Sequence, residues 1–181
     1  IWDRSVERLM AHPEDTVEAV LEQELLRAGI CLSDEELRRF ISTCSPIERV
    51  VSSRYRERIV RSIAQAGIRM ELYGDGWGNC DWISLPNVHY GGRVSPGEIL
   101  SMMQESKLVL NTLPWFKEGS HERVFNAMLA GAAAVSETSG YLEEVLSPEA
   151  WISFDLTEKS LSALPQRIAG LLADESRLQE I

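Results

Sequence analysis

The chain has 181 residues, 44% hydrophobic and 25% charged, which is the balance of a globular protein with a packed core rather than of a disordered or fibrous one. With 18 Lys and Arg against 28 Asp and Glu the formal charge is -10. No general nucleic-acid or anionic-membrane surface is therefore expected, and a bound phosphate must be held by local donors. Cys31, Cys44 and Cys80 form neither a CxxC pair nor a zinc-finger spacing with histidine, so neither a disulfide framework nor a structural zinc is expected, and a reducing, cytoplasmic setting is.

Residues 1–66 read as a helical extension or inter-domain segment. Val17, Val20, Leu21, Leu25 and Leu26 recur at helical spacing until Gly29. Ser33 followed by Glu36 makes a capping box for a second helix, and Ser45 with Pro46 opens a third that runs to Ala66. The pattern changes at Ile68. Residues 68–73 alternate as a strand and break into Gly74-Asp75-Gly76, and residues 88–90 form another short strand. His89 on that strand reads as a packed residue. Ser95-Pro96-Gly97-Glu98 caps a helix to about Glu105, residues 107–113 form the next strand, and a loop leads to a helix through Ala130. Residues 132–136 resemble a buried strand, and residues 158–173 a closing helix. This alternation predicts an α/β fold over residues 67–181, a Rossmann-like parallel sheet with helices on both faces. The longest apolar run, residues 125–135, is interrupted by Asn126 and Gly131 and is far shorter than the roughly 20 residues that cross a bilayer, so no membrane span is expected. The chain opens with Ile1 and shows no signal-peptide pattern, so a piece of a longer protein with a further partner domain is expected.

Ligands of open parallel sheets gather at the carboxyl ends of the strands, and two loops qualify. In Gly74-Asp75-Gly76-Trp77 the glycines permit close backbone approach, with Trp77 against a base or sugar; the alternative is a glycine turn with Trp77 as a core plug. In the loop over residues 114–123, Gly119 and Ser120 fall where a helix cap belongs, so the amides beyond them are expected to face a bound diphosphate. Lys117, His121 and Arg123 add positive charge. Glu118 and Glu122 lie at the same end and satisfy the helix dipole without a ligand, so a well-capped structural helix is the alternative. Asn126 interrupts the apolar helix one turn past Glu122, in reach of ligand hydroxyls or of a neighbouring loop. Arg54, Arg58 and Arg61 share a helix face that reads as solvated and paired with carboxylates. His12, His89 and His121 have no metal-ligand spacing, and neither Gly-x-Ser-x-Gly nor a Walker-type loop occurs.

From Ile68 to the end, these segments resemble the group 1 glycosyltransferases of the GT-B fold, in particular the branch with spore-maturation-like proteins. Gly74-Asp75-Gly76 is similar to a glycine loop of the donor domain, and Leu85-Pro86-Asn87-Val88-His89-Tyr90-Gly91-Gly92-Arg93-Val94-Ser95 to the segment before the next helix. Glu118-Gly119-Ser120-His121-Glu122-Arg123-Val124-Phe125-Asn126-Ala127-Met128-Leu129-Ala130-Gly131 resembles the family's Glu, seven residues, Glu segment and the Ala-Met-Ala-Cys-Gly after it. Glu118 matches the first glutamate and Asn126 stands at the second, without its charge.

The resemblance implies one half of a GT-B fold and a hexosyltransferase-like, metal-independent activity: a sugar passes from a nucleotide diphosphate sugar to an unknown glycan, protein or small-molecule acceptor. Glu118 and Lys117 would be catalytic. Gly74, Asp75, Gly76, Trp77, Arg93, Gly119, Ser120, His121, Glu122, Arg123 and Asn126 would bind substrate, with Asn126 at the ribose and Lys117 and Arg123 balancing the diphosphate. No cofactor and no metal are implied. The basic pair that relatives place in the first strand and helix has its nearest substitutes in Arg54 and Arg58. An acceptor domain is missing, so the chain alone is expected to bind donor and transfer poorly. The competing expectations are a non-catalytic nucleotide-sugar-binding module and a helical protein-interaction module whose α/β part is scaffold.

Overall fold

The computed structural model describes residues 1–113 and 118–181. The chain forms two compact units, Ile1–Glu57 and Arg58–Ile181, with the boundary inside one long helix.

The first unit is helical: α1 (Trp2–Ala11), α2 (Val17–Arg27), α3 (Asp34–Cys44) and the first turns of α4 (Pro46–Gln65). Local chemistry sets the ends. The Thr16 hydroxyl accepts from the Ala19 amide, and Gly29, at a φ of 71°, turns the chain out of α2 so that the Ile30 amide reaches back to the Leu25 carbonyl. Ser33 and Glu36 form the expected capping box. Val6, Leu9, Val20, Leu21, Ile47, Val51 and Tyr55 are buried, and the Tyr55 hydroxyl donates to the Met10 carbonyl at 2.7 Å. Glu24 is also buried, held by Arg4 at 2.9 Å and Arg27 at 2.7 Å, so its charge is paired where burial makes an unpaired one costly.

The second unit is α/β. Two parallel strands, β1 (Met70–Tyr73) and β2 (Val88–Gly92), make one sheet. β3 (Leu108–Asn111), β4 (Ala133–Glu137) and β5 (Ile152–Phe154) make a second parallel sheet in that order. Helices α5 (Pro96–Gln104), α6 (Glu122–Leu129) and α7 (Gly140–Val145) lie between successive strands, and α8 (Glu158–Ala173) and α9 (Glu175–Glu180) close the chain. Strand, helix and parallel strand in succession, with helices on both sides of two small sheets, is the Rossmann-like arrangement expected.

β4 is buried at every position, as a central parallel strand must be. Against β3 and β4 lies a core of Leu113, Val124, Ala127, Ala134, Leu142 and Trp151. A second core joins Val60, Ala64 and Trp82 to Met70, Leu72, Trp77, Val88 and Leu110, so a β3 side chain packs among those of β1 and β2. Glu71 on β1 and His89 on β2 face outward, which corrects the reading of His89 as packed. Its ring is exposed, 3.8 Å from Glu71 on the neighbouring strand. Among the described residues no helix is long and apolar enough to cross a membrane.

Candidate functional site

Several buried polar residues of the second unit lie at the carboxyl ends of β3 and β4. β3 and β4 end in the register pair Asn111 and Ser136, which brings two residues distant in sequence side by side. Both are buried, and the Asn111 Nδ2 donates to Ser136 Oγ at 2.9 Å while that hydroxyl donates to the Glu137 carbonyl at 2.9 Å. With its amide group oriented in this way, Asn111 turns Oδ1 toward Arg123 on the first turn of α6 and accepts from Nη1 at 2.8 Å. Glu137, also buried, accepts from the Leu113 amide at 3.0 Å and so fixes the chain as it leaves β3. The arrangement aims a guanidinium at the strand ends through partners that are themselves immobilised.

The start of α6 differs from expectation. His121, not Gly119 or Ser120, is the N-cap: its backbone is extended, its Nδ1 accepts from the Arg123 amide at 3.1 Å, and its carbonyl accepts from Val124 at 3.1 Å. An imidazole nitrogen thus does the work of a cap hydroxyl, one residue later than a Gly-Ser reading places it. Two amides of the first turn are therefore already occupied within the chain. Glu122 is exposed, with a carboxylate oxygen 3.7 Å from the His121 ring. Gly119 and Ser120 lie half-buried between Glu118 and the cap.

Asn126 is half-buried rather than enclosed. It interrupts the apolar pattern because α6 turns that position partly toward solvent. Val124 and Ala127 on either side carry the core. Glu118 is exposed, and its carboxylate reaches across to the start of α7 beside Gly140. Lys117 lies outside the described residues.

The glycine loop after β1 forms a separate group. Gly74 and Gly76 have φ values of 107° and 93°, which no L side chain adopts comfortably. Asp75 pairs with Arg93, which follows β2, at 2.7 Å, and the Tyr90 hydroxyl donates to the Gly74 carbonyl at 2.9 Å, so the two strand exits are tied together. Trp77 turns inward and packs edge-on against Trp82, with ring centroids 5.9 Å apart. No side-chain hydrogen bond or ion pair among the described residues joins this group to that around α6. Of the arginines on α4, Arg58 pairs with Glu158 and Arg61 with Asp81, as a solvated face would.

Asn111, Ser136, Glu137 and Gly140 were not singled out from the sequence. A usable signal was present, since an apolar strand ending in Ser136-Glu137 places a carboxylate where a parallel sheet exposes its ligand-binding edge. Among the described residues no group of three His, Cys, Asp or Glu could hold a metal ion.

Comparisons with curated proteins and with solved structures each gave no match. A family model does match: residues 54–181, the whole α/β unit and the turn before it, fit the family described as Glycosyl transferase-like. With well over half of its length in that match, the chain belongs to the glycosyl transferase-like family.

Proposed function

We propose that the α/β unit binds a nucleotide diphosphate sugar at the carboxyl ends of β3 and β4 and serves as the donor half of a GT-B glycosyltransferase, of the branch with spore-maturation-like proteins. The observation that carries this reading is Arg123, held by the buried Asn111 at 2.8 Å beside the start of α6 in a glycosyltransferase-like domain. A guanidinium aimed before the donor arrives stabilises charge on the leaving diphosphate without reorganising, which is how a preorganised site lowers a barrier. Lys117 adds a second positive charge. Glu118 contacts the donor sugar, and Asn126 hydrogen-bonds the ribose hydroxyls through an amide that gives direction but no charge. Charge balance from Lys117 and Arg123 makes the transfer metal-independent, and no cofactor is needed. Gly74, Asp75, Gly76 and Arg93 border the donor from the exits of β1 and β2, while Trp77, packed against Trp82, is the core plug that anchors their loop. The acceptor, a glycan, protein or small molecule, is presented by a second domain facing this one, and the protein works in the cytoplasm.

One observation favours a second reading. Asn126 lacks the charge of the glutamate it replaces, which suits a module that binds the nucleotide sugar without transferring it.

Calorimetric titration of the chain with UDP, GDP and their common sugar conjugates tests the proposal, with Glu118→Ala and Asn126→Ala as controls. Saturable binding of one nucleotide class, weakened in both variants, is expected. Absence of binding by every probe would overturn the donor-site assignment, and binding without turnover in a protein that carries the acceptor domain would favour the module.

A further inference from the structure

Gly140 opens α7 directly after β4, with Ser139 as the N-cap accepting from the Leu142 amide at 3.2 Å. Nothing in the backbone asks for glycine here. Its φ is not in the left-handed range that Gly29, Gly74 or Gly131 adopts, and in a helix glycine is a poorer former than alanine. Space supplies the reason. A Cβ at Gly140 would lie 2.5 Å from the Glu118 Oε2 and 3.5 Å from its Cδ, and would meet nothing else among the described residues within 4 Å. The helix glycines Gly97 and Gly170, by contrast, have nothing within 4 Å of an added Cβ.

We infer that Gly140 is a positioning residue for Glu118: its missing side chain is the seat of the carboxylate that reaches the donor sugar. The inference rests on the donor-site reading given above. The Glu118 carboxylate lies in the space that a side chain at position 140 would occupy. A methyl group at position 140 would push Oε2 away by roughly 1 Å to restore van der Waals contact. The displaced group is the far end of an exposed, flexible side chain, so the fold accommodates the change, whereas a hydrogen bond to a sugar hydroxyl does not tolerate such a shift.

The test compares the wild-type chain with Gly140→Ala, Glu118→Ala and the double variant, each titrated with UDP-glucose, GDP-mannose, UDP and GDP and melted by circular dichroism. Gly140→Ala is expected to melt at or above the wild-type temperature and to bind the nucleotide sugar about tenfold more weakly. The free nucleotide, which has no sugar for Glu118 to hold, is expected to bind the same protein within about twofold of wild type. The double variant should bind no more weakly than Glu118→Ala alone, because two changes that act through one contact do not add. Wild-type affinity in Gly140→Ala alongside a loss in Glu118→Ala would overturn the positioning role and leave the donor site standing, as would full additivity in the double variant. Wild-type affinity in Glu118→Ala, or failure of all four probes to bind the wild-type chain, would overturn the donor-site reading and the positioning role with it.

Discussion

Replacing Asn111 by leucine removes the link between the strand ends and Arg123 while nearly conserving volume. The residue is 1% exposed and makes two side-chain hydrogen bonds, one to the guanidinium at 2.8 Å and one to Ser136 at 2.9 Å. A bond to a charged group contributes about 1.5–3 kcal/mol and a neutral one about 1 kcal/mol, so the expected loss is about 2.5–4 kcal/mol. The lower part of that range is favoured, since Ser136 still donates to the Glu137 carbonyl and is not left unsatisfied. For a unit of this size the loss lowers the melting temperature by about 10 °C. Tryptophan fluorescence is the suitable probe because, among the described residues, Trp77, Trp82 and Trp151 lie in the second unit and only Trp2 in the first. Asn111→Asp separates stability from function. It keeps the shape and the acceptor facing Arg123 but adds a negative charge there, so it is expected to fold with a smaller loss and to bind UDP or GDP more weakly than wild type. A leucine variant melting within about 2 °C of wild type would refute the energetic reasoning. An aspartate variant with undiminished nucleotide affinity would refute the assignment of Arg123 to the diphosphate.

Two further outcomes follow from the loops that frame the sheet. The Ser95 hydroxyl, and after it the Ser95 amide at 2.7 Å, hold the Glu98 carboxyl below its ordinary range. A carboxyl lowered on folding contributes stability above its unfolded value and loses it as pH falls through the folded one. Glu98→Gln should therefore melt below wild type at neutral pH and converge with it as pH falls through the lowered folded-state value, and a constant gap across a pH series of melts would contradict this. Asp75 and Arg93 are both largely exposed, so their 2.7 Å ion pair adds at most about 1 kcal/mol. Asp75→Asn should leave the melting temperature nearly unchanged while releasing Arg93, and nucleotide affinity measured at low salt should rise and lose the gain at high salt. Weaker binding in that variant would mean that Asp75 itself contacts the ligand.

The helix starts were legible because capping is local chemistry. Ser33 with Glu36 and Ser95 with Glu98 each satisfy amides three residues away, so the pattern is complete within one turn. His121 escaped that grammar because an imidazole seldom caps a helix, and only the fold of the loop brings Nδ1 to the Arg123 amide. β5 and α7 were passed over for another reason. A strand as short as Ile152–Phe154 carries too few residues for a period, and its identity as a strand depends on β4 lying beside it.

The candidate site divides along the same line. Glycine spacing, the apolar helix broken at Asn126 and the resemblance of residues 118–131 to a glycosyltransferase segment could all be read along the chain, and the family match agrees with the general reading. Asn111 beside Ser136, Arg123 beneath Asn111 and the Glu118 carboxylate over Gly140 could not. Each joins residues on separate elements whose adjacency comes from parallel strand register and helix crossover. In a parallel sheet the partners are separated by a whole helix, so tertiary packing alone determines which polar side chains share the carboxyl edge.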